Sequence, residues 1–524
     1  MLFHDPFEFT ARTQPEQLFV DDGSRALTYA QAAAEVGRIA NGMLTLGLGP
    51  GRRFAWLSKN SADMLLMFLA ASRIGAVPVP LNYRLAAAEW QYIIEDAQAT
   101  VLFVHAEYVH AIEGIRSQLP GVSSFIAVDD TARPQWVDYR AWLAAQSDHC
   151  AEPVIDTRSV LYQMYTSGTT GRPKGVVITH GSYAANLSQV MCMIERRPAR
   201  GDIGLVVTPL YHAAAVWICA FCLYGGMSII LLREFDPEIV VDSLERRRVN
   251  FTFLVPAMIQ ACLTQVGDVE RRDWSNLHML MYGASPISEA TLSHAMQVFD
   301  CDFYQAYGMT ETTAILTLLG AADHRRACQG EAGLLLSAGR ALPGTHLRVT
   351  APGDDSQSES VDGQVGEILA RGPQMMAEYW RLPEETVRTM HDGWLHTGDA
   401  ANMDTNGYIY IRDRMKDMVV SGGENIYPRE IELVLLAHPH IADAAVIGVP
   451  NERYGEALLA FIVLQPETTL TVDEVVSFCR ERLGGYKVPR QVQFVAALPR
   501  NPTGKVLKTV LRAPFWTGRS RAVG

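Results

Sequence analysis

Tyr165-Thr166-Ser167-Gly168-Thr169-Thr170-Gly171-Arg172-Pro173-Lys174-Gly175 is the stretch whose reading decides the rest of the chain. Its glycines let backbone N–H groups approach an anion closely, its hydroxyls donate further hydrogen bonds, and Lys174 adds a positive charge. These are the requirements of a phosphate cradle. The order of glycine, lysine and hydroxyl differs from GxxxxGK[ST], so it is not a Walker A loop. A short match would read as a Ser/Thr/Gly-rich surface turn, but this run is long and specific.

The surroundings of this run read as an α/β fold. Strands are predicted at Arg53–Leu57, Ala76–Pro80, Ala99–His105, Gly204–Thr208, Ser228–Leu232 and Phe251–Leu254, with a helix at Ser61–Ile74. Short apolar strands spaced by amphipathic helices predict mixed sheets covered by helices. Ala213 to Leu232 is apolar enough to suggest a membrane span, but Gly225-Gly226 divides it into a buried helix and a buried strand. Gly47-Leu48-Gly49-Pro50-Gly51 precedes a strand instead of following one, so it reads as a helix stop and turn, not a dinucleotide fingerprint. Asp354 to Asp362 is polar and predicts a hairpin tip. Near Arg414 a second compositional unit begins, with strands at Ala444–Val449 and Leu459–Leu464 and a helix at Val472–Leu483. It has the size of a small α+β domain.

Bulk properties bound the function. The chain has 524 residues, too many for one ordinary core, with 48% hydrophobic and 19% charged residues. A net charge of −12 argues against a nucleic-acid partner, which needs clustered Lys and Arg. The eight cysteines are scattered and fit a reducing, cytoplasmic setting. Cys219 and Cys222 form a CxxC, but an apolar helix explains it better than zinc or redox chemistry. The first residues lack a basic n-region and long apolar run, so no signal peptide is expected, nor a transmembrane segment. A homodimer and peripheral membrane contact are left open.

Four further motifs follow in order: Tyr304-Gln305-Ala306-Tyr307-Gly308-Met309-Thr310-Glu311, Trp394-Leu395-His396-Thr397-Gly398-Asp399, Arg412-Asp413-Arg414-Met415-Lys416-Asp417 with the segment to Glu432, and Asn501-Pro502-Thr503-Gly504-Lys505. With the Thr166–Gly175 run they resemble the adenylate-forming superfamily of acyl-CoA synthetases, luciferases and peptide-synthetase adenylation domains. The wording is most similar to its bacterial AMP-forming fatty-acid–CoA ligases, and the likeness spans about Leu27 to Leu511.

The resemblance implies a large N-terminal domain (1–413) for AMP and acyl binding, a hinge (414–417) pivoting at Lys416, and a small mobile C-terminal α+β lid (418–524). It implies ATP and coenzyme A as co-substrates, Mg²⁺ as cofactor, and a carboxylic acid that is first adenylated and then passed to CoA. Thr166 and Glu311 would hold Mg²⁺, and Lys505 would enter from the lid to stabilise the charge that develops. Lys174 and Thr310 complete the catalytic set. The nucleotide would contact Thr166, Ser167, Gly168, Thr169, Thr170, Gly171, Gly283, Ala284, Ser285, Tyr304, Ala306, Tyr307, Gly308 and Thr310. Asp399 would accept from the ribose hydroxyls, with Arg414 assisting, and Tyr304 would stack on adenine. After adenylation the lid would rotate, withdraw Lys505 and present Ser421, Gly422 and Gly423 to a narrow thiol channel.

The acyl pocket is expected between the helix starting at Tyr211-His212-Ala213-Ala214 and the strand end Tyr282-Gly283-Ala284, with Trp217 as a further wall. His212 fits either a residue at the pocket mouth or a structural histidine. It and the alanines stand where amino-acid-activating relatives carry an Asp, so an ammonium-bearing substrate is disfavoured. Ala214 replaces a tyrosine of hydroxycinnamate ligases, and small side chains leave room for an apolar tail. Medium-to-long fatty acids come first and aryl acids of the feruloyl type second. A stand-alone enzyme loading a carrier protein is the alternative acceptor reading, although Asp242-Ser243-Leu244 is no carrier attachment site. A luciferase-like oxygenase and a non-catalytic binding relative are disfavoured, the latter because Lys174, Glu311, Asp399 and Lys505 are all present.

Overall fold

The computed structural model describes residues 1–129, 134–149, 153–167, 172–350, 364–421, 424–500 and 505–517. Two largely parallel sheets form the body. One has nine strands, with a parallel centre running 302–307, 279–283, 251–254, 203–206, 228–231 and 18–21, and antiparallel edges. The other has five parallel strands: 77–80, 53–57, 101–105, 124–128 and 137–138. Their strands are continuous apolar runs such as Phe251–Leu254, buried throughout, because helices cover both faces.

Local signals explain the helices. Ser61 caps Ala62–Ile74 by accepting from the Met64 N–H at 3.2 Å, and Gly75 ends it at φ +70°. The apolar run beyond Tyr211 divides as expected: the helix Ala213–Gly225 stops at Gly226, φ +63°, and the strand Ser228–Leu231 follows. Cys219 and Cys222 are buried inside that helix, and burial pushes the Cys219 thiol up to about 12. No helix among the described residues is long and apolar enough to cross a membrane. The segment Asp354 to Asp362 lies outside the described residues.

Three smaller sheets position the chemistry. Strands Val160–Ser167 and Pro173–Thr179 pair antiparallel with Glu378–Tyr379. A five-stranded antiparallel sheet holds Trp394–Met403 beside Ile409–Arg414. The C-terminal sheet, built on the long hairpin Ile441–Asn451 and Gly455–Leu464, carries its own apolar clusters, around Ile431, Val446 and Val475 on one face and Ile447, Leu459 and Leu498 on the other. The body's last apolar cluster ends with Ile409 and Ile411, and the C-terminal one starts at Val419. The architecture is therefore a large N-terminal domain of mixed sheets covered by helices and a smaller C-terminal domain.

Candidate functional site

The first wall is the hairpin that flanks the opening motif. Thr166 and Lys174 are cross-strand partners, and Ser167 pairs with Pro173. Gly168, Thr169, Thr170 and Gly171 lie outside the described residues. A Cβ at Gly175 would stand 2.6 Å from Gln163 Nε2, so any larger residue would have to displace that buried side chain. Lys174 is buried; its ammonium pairs with Glu385 and lies 5.0 Å from the centre of the Tyr379 ring. Tyr379 in turn donates its hydroxyl to Glu311 Oε1 at 2.8 Å.

Glu311 sits on a short 3-10 turn, Thr310–Thr312, directly after the strand Asp302–Tyr307. The turn is possible because Gly308 passes close to Ala314, where a Cβ would stand 2.1 Å from the carbonyl oxygen. It ends at Thr313, held at φ +67° with its hydroxyl donating to the Gln374 carbonyl at 2.7 Å. A β-branched residue at positive φ costs of the order of 1–3 kcal/mol, which the fixed hydrogen bond and burial offset. Gly283 lies against Ala306, where a Cβ would stand 2.1 Å from the carbonyl oxygen. Ala284, the next residue, is exposed at φ +66°, beside half-buried Ser285.

Alternation along the strand separates its two tyrosines. Tyr304 is fully buried, and its hydroxyl accepts from the Glu195 N–H at 3.0 Å. It therefore packs in the core, with no open ring face. Tyr307, on the other face, donates to Asp399 Oδ2 at 2.7 Å. Of the two, it is Tyr307 that reaches the Asp399 carboxylate.

Asp399 is a junction. Its second oxygen, Oδ1, accepts from Arg414 Nε at 2.7 Å, and this carboxylate is the main reason the guanidinium's pKa is raised. The turn before it is fixed by Glu367, which accepts from the Gly398 N–H at 2.9 Å and pairs with His396 Nδ1 at 3.1 Å. Lys505 of the C-terminal domain joins the group. Desolvation and the charges of Arg414 and Lys416 pull its pKa down to about 8, against Asp399 and Asp417. The residue as a whole still meets solvent. Burial likewise lowers the pKa of Lys416.

The boundary between the domains is a charged seam. Asp413 Oδ2 accepts from the Arg429 N–H at 2.9 Å, at the start of the helix Pro428–Leu436, and lies 3.8 Å from Lys508 Nζ. Lys508 also binds Glu432 at 2.8 Å, and Arg512 binds Asp417 at 2.8 Å. Ser421 pairs with Glu424 and Gly455 in the C-terminal sheet; Gly422 and Gly423 lie outside the described residues.

Where the acyl pocket is expected, His212 stands at the N-cap position of the helix Ala213–Gly225 without a side-chain cap hydrogen bond, its ring 4.5 Å from that of Tyr211. Burial pushes its pKa down to about 4, and Nε2 has no partner among the described residues, so the imidazole is neutral at pH 7. Ala214 is half-buried beside it. Trp217 and Tyr282 are placed in the packed interior instead of on an open wall: Trp217 stacks on Phe221 at 5.7 Å, and Tyr282 hydrogen-bonds His324 Nε2 at 2.9 Å. Asn60 pins the loop before His212, accepting from the Leu210 N–H at 2.8 Å while donating to the Thr208 carbonyl at 3.0 Å. Asn60, Glu367, Tyr379 and Asp413 escaped the sequence reading because each lies outside the diagnostic runs or plays a role that only contact reveals.

For a divalent ion, Glu311 offers a buried hard-oxygen donor, and no cluster of three or more His, Cys, Asp or Glu able to hold a metal exists among the described residues. That donor set fits Mg²⁺, which binds through one or two carboxylates together with phosphates and water, and does not fit a caged metal.

The geometry brings together side chains from motifs far apart in the sequence: Lys174 and Glu311 meet at Tyr379, and Tyr307 and Arg414 meet at Asp399. Comparison with known proteins gives the family. The AMP-binding enzyme family matches residues 7–380, and the AMP-binding enzyme C-terminal domain matches residues 430–505. A fatty acid–[acyl-carrier-protein] ligase of Streptomyces coeruleorubidus is 36% identical over 98% of this chain and 96% of its own. A feruloyl-CoA synthase of an Amycolatopsis species is 37% identical over 96% of this chain and 97% of its own. A solved Mycobacterium tuberculosis fatty acyl CoA synthetase superposes with a TM-score of 0.76 at 33% identity, covering 99% of both chains. The chain belongs to the AMP-binding enzyme family, within the adenylate-forming superfamily, as an AMP-forming acyl- or aryl-acid ligase.

Proposed function

We propose that the protein converts ATP, a medium- or long-chain fatty acid and CoA into acyl-CoA, AMP and pyrophosphate. The observation that most supports this reading is that Lys505 feels the charges of Asp399 and Arg414, the pair that the reading assigns to the ribose. In the first step a carboxylate oxygen attacks the α-phosphorus and the bond to the β-phosphate breaks, releasing pyrophosphate. Two anions must approach, so the site's task is to supply positive charge and alignment. Lys174 faces the departing phosphates, Lys505 the α-phosphate, Asp399 the ribose, and Tyr307 the base. Mg²⁺, held by Glu311 with Thr166, would neutralise phosphate charge.

In the second step the CoA sulfur attacks the acyl carbonyl and AMP departs with the C–O bond electrons. For this the lid turns on residues 414–417, withdrawing Lys505 and bringing Ser421 forward. The separate apolar clusters on either side of that segment support a rigid-body turn. Ala214, half-buried at the head of the helix Ala213–Gly225, supports an apolar tail over a hydroxylated aryl acid.

The relatives favour a second acceptor and a second acid, since one loads a carrier protein and another is named for ferulate. A panel of acids from acetate to long fatty acids and cinnamates, with free CoA or carrier protein, separates these readings through AMP release. AMP with octanoate or longer acids and free CoA is expected. Preference for ferulate, or turnover only with a carrier, overturns the corresponding half. Lys505→Ala should lose acyl-AMP formation yet keep CoA transfer from supplied acyl-AMP; undiminished pyrophosphate release would remove Lys505 from its role.

A further inference from the structure

Lys174 is already occupied. Its ammonium is paired with Glu385, whose other oxygen is paired with Arg388. Both side chains of the Lys174–Glu385 pair are well covered, with 9% and 18% of their surface exposed. The hydrogen bond from Lys174 holds Glu385 below the usual carboxylate range, so this carboxylate is ionised at neutral pH. A lysine placed over the Tyr379 ring and largely out of water needs a counter-charge, and Glu385 supplies it.

Tethering the helix Pro383–Thr389 does not require this pair. The segment is held independently by the Glu378–Tyr379 ladder, by the Trp380 N–H to the Gly175 carbonyl at 2.7 Å, and by Thr386 Oγ1 accepting from the Tyr379 N–H at 3.0 Å. What the pair does alter is the charge that an arriving triphosphate meets.

We propose that Glu385 is an internal stand-in for the β- and γ-phosphates: it keeps Lys174 neutralised in the empty enzyme and competes with ATP and pyrophosphate for it. This rests on the nucleotide-site reading above. Binding ATP then requires Lys174 to exchange Glu385 for phosphate oxygens, and the return of Glu385 to Lys174 assists release of pyrophosphate. AMP, which lacks those phosphates, is indifferent to the exchange.

The test is titration calorimetry of wild type, Glu385→Gln and Glu385→Ala with Mg·ATP, Mg·pyrophosphate and AMP, no acid being present, with melting temperatures recorded alongside. Both variants are expected to bind ATP and pyrophosphate about threefold to tenfold more tightly, the range for removing one competing partner from a partly covered ion pair, with AMP affinity unchanged. Equal or weaker ATP and pyrophosphate binding, with AMP affinity intact, overturns the proposal and makes Glu385 a support for Lys174. Loss of AMP affinity as well makes it a structural tether and also overturns it. If wild type binds neither ATP nor AMP, the nucleotide-site reading itself fails.

Discussion

Raising the pH should switch off adenylation through one residue, Lys505. Its ammonium has an ordinary pKa of 10.5, lowered here to about 8 by desolvation and by Arg414 and Lys416. A group of pKa about 8 is roughly one-tenth protonated at pH 9 and nine-tenths protonated at pH 7. Where the charge of Lys505 stabilises the reacting phosphate, kcat/KM for ATP should fall about tenfold between those values. With ATP bound, the phosphates draw the pKa back up, so the same limb in kcat should lie at higher pH. Acyl-AMP trapped as hydroxamate gives both profiles when it is measured from about pH 6.5 to about pH 9.5, a span that brackets the lowered pKa on both sides. Lys505→Arg keeps a charge throughout and should abolish the limb at a lower plateau. The stability sign is the reverse. The folded chain releases this proton near pH 8 and the unfolded chain near 10.5, so this group makes the fold more stable as pH rises through that window. A kcat/KM profile that stays flat to about pH 9.5, or a limb that survives in Lys505→Arg, would refute the reasoning.

Other consequences can be checked directly. Asp413→Asn removes the charge that caps the helix Pro428–Leu436 and faces Lys508 across the seam. It should cost the adenylation arrangement about 1–2 kcal/mol, seen as slower pyrophosphate release with unimpaired CoA transfer from supplied acyl-AMP. Tyr307→Ala should weaken AMP binding by about 1–3 kcal/mol in calorimetry, the scale of base stacking on an aromatic ring, whereas Tyr304→Phe should leave it unchanged. Asp399→Asn keeps the shape but loses the charge opposite Arg414; AMP affinity should drop about tenfold or more, with little change for pyrophosphate. Trp217→Ala should lower stability by about 3–5 kcal/mol in denaturant melts, as expected of a filled core position.

The fold was legible wherever periodicity and glycine punctuation agreed. Phe251–Leu254 falls on the expected residues, and Gly225-Gly226 separates helix from strand because Gly226 takes the left-handed conformation. The site was legible as a set of motifs but not as a set of directions. Tyr304 and Tyr307 stand three apart in one strand, and only the register of that strand decides which one meets Asp399. Trp217 reads as a pocket wall from its place after His212, yet the helix turns it onto Phe221. Glu385 gives no signal in the sequence, because its meaning comes from a lysine more than two hundred residues away.

The seam at Asp413 also sets how the two domains can be recombined. Lys508, Glu432, Asp417 and Arg512 all lie beyond Arg414 and satisfy one another, so a transplanted lid carries its ionic interior with it. Among the described residues, Asp413 is the member of that group contributed by the body. A chimera joined after Arg414 onto a relative lacking this aspartate would inherit a well-folded lid without its latch. Choosing the cut, or restoring one carboxylate, would then tune how long such a hybrid stays in its ATP-consuming posture.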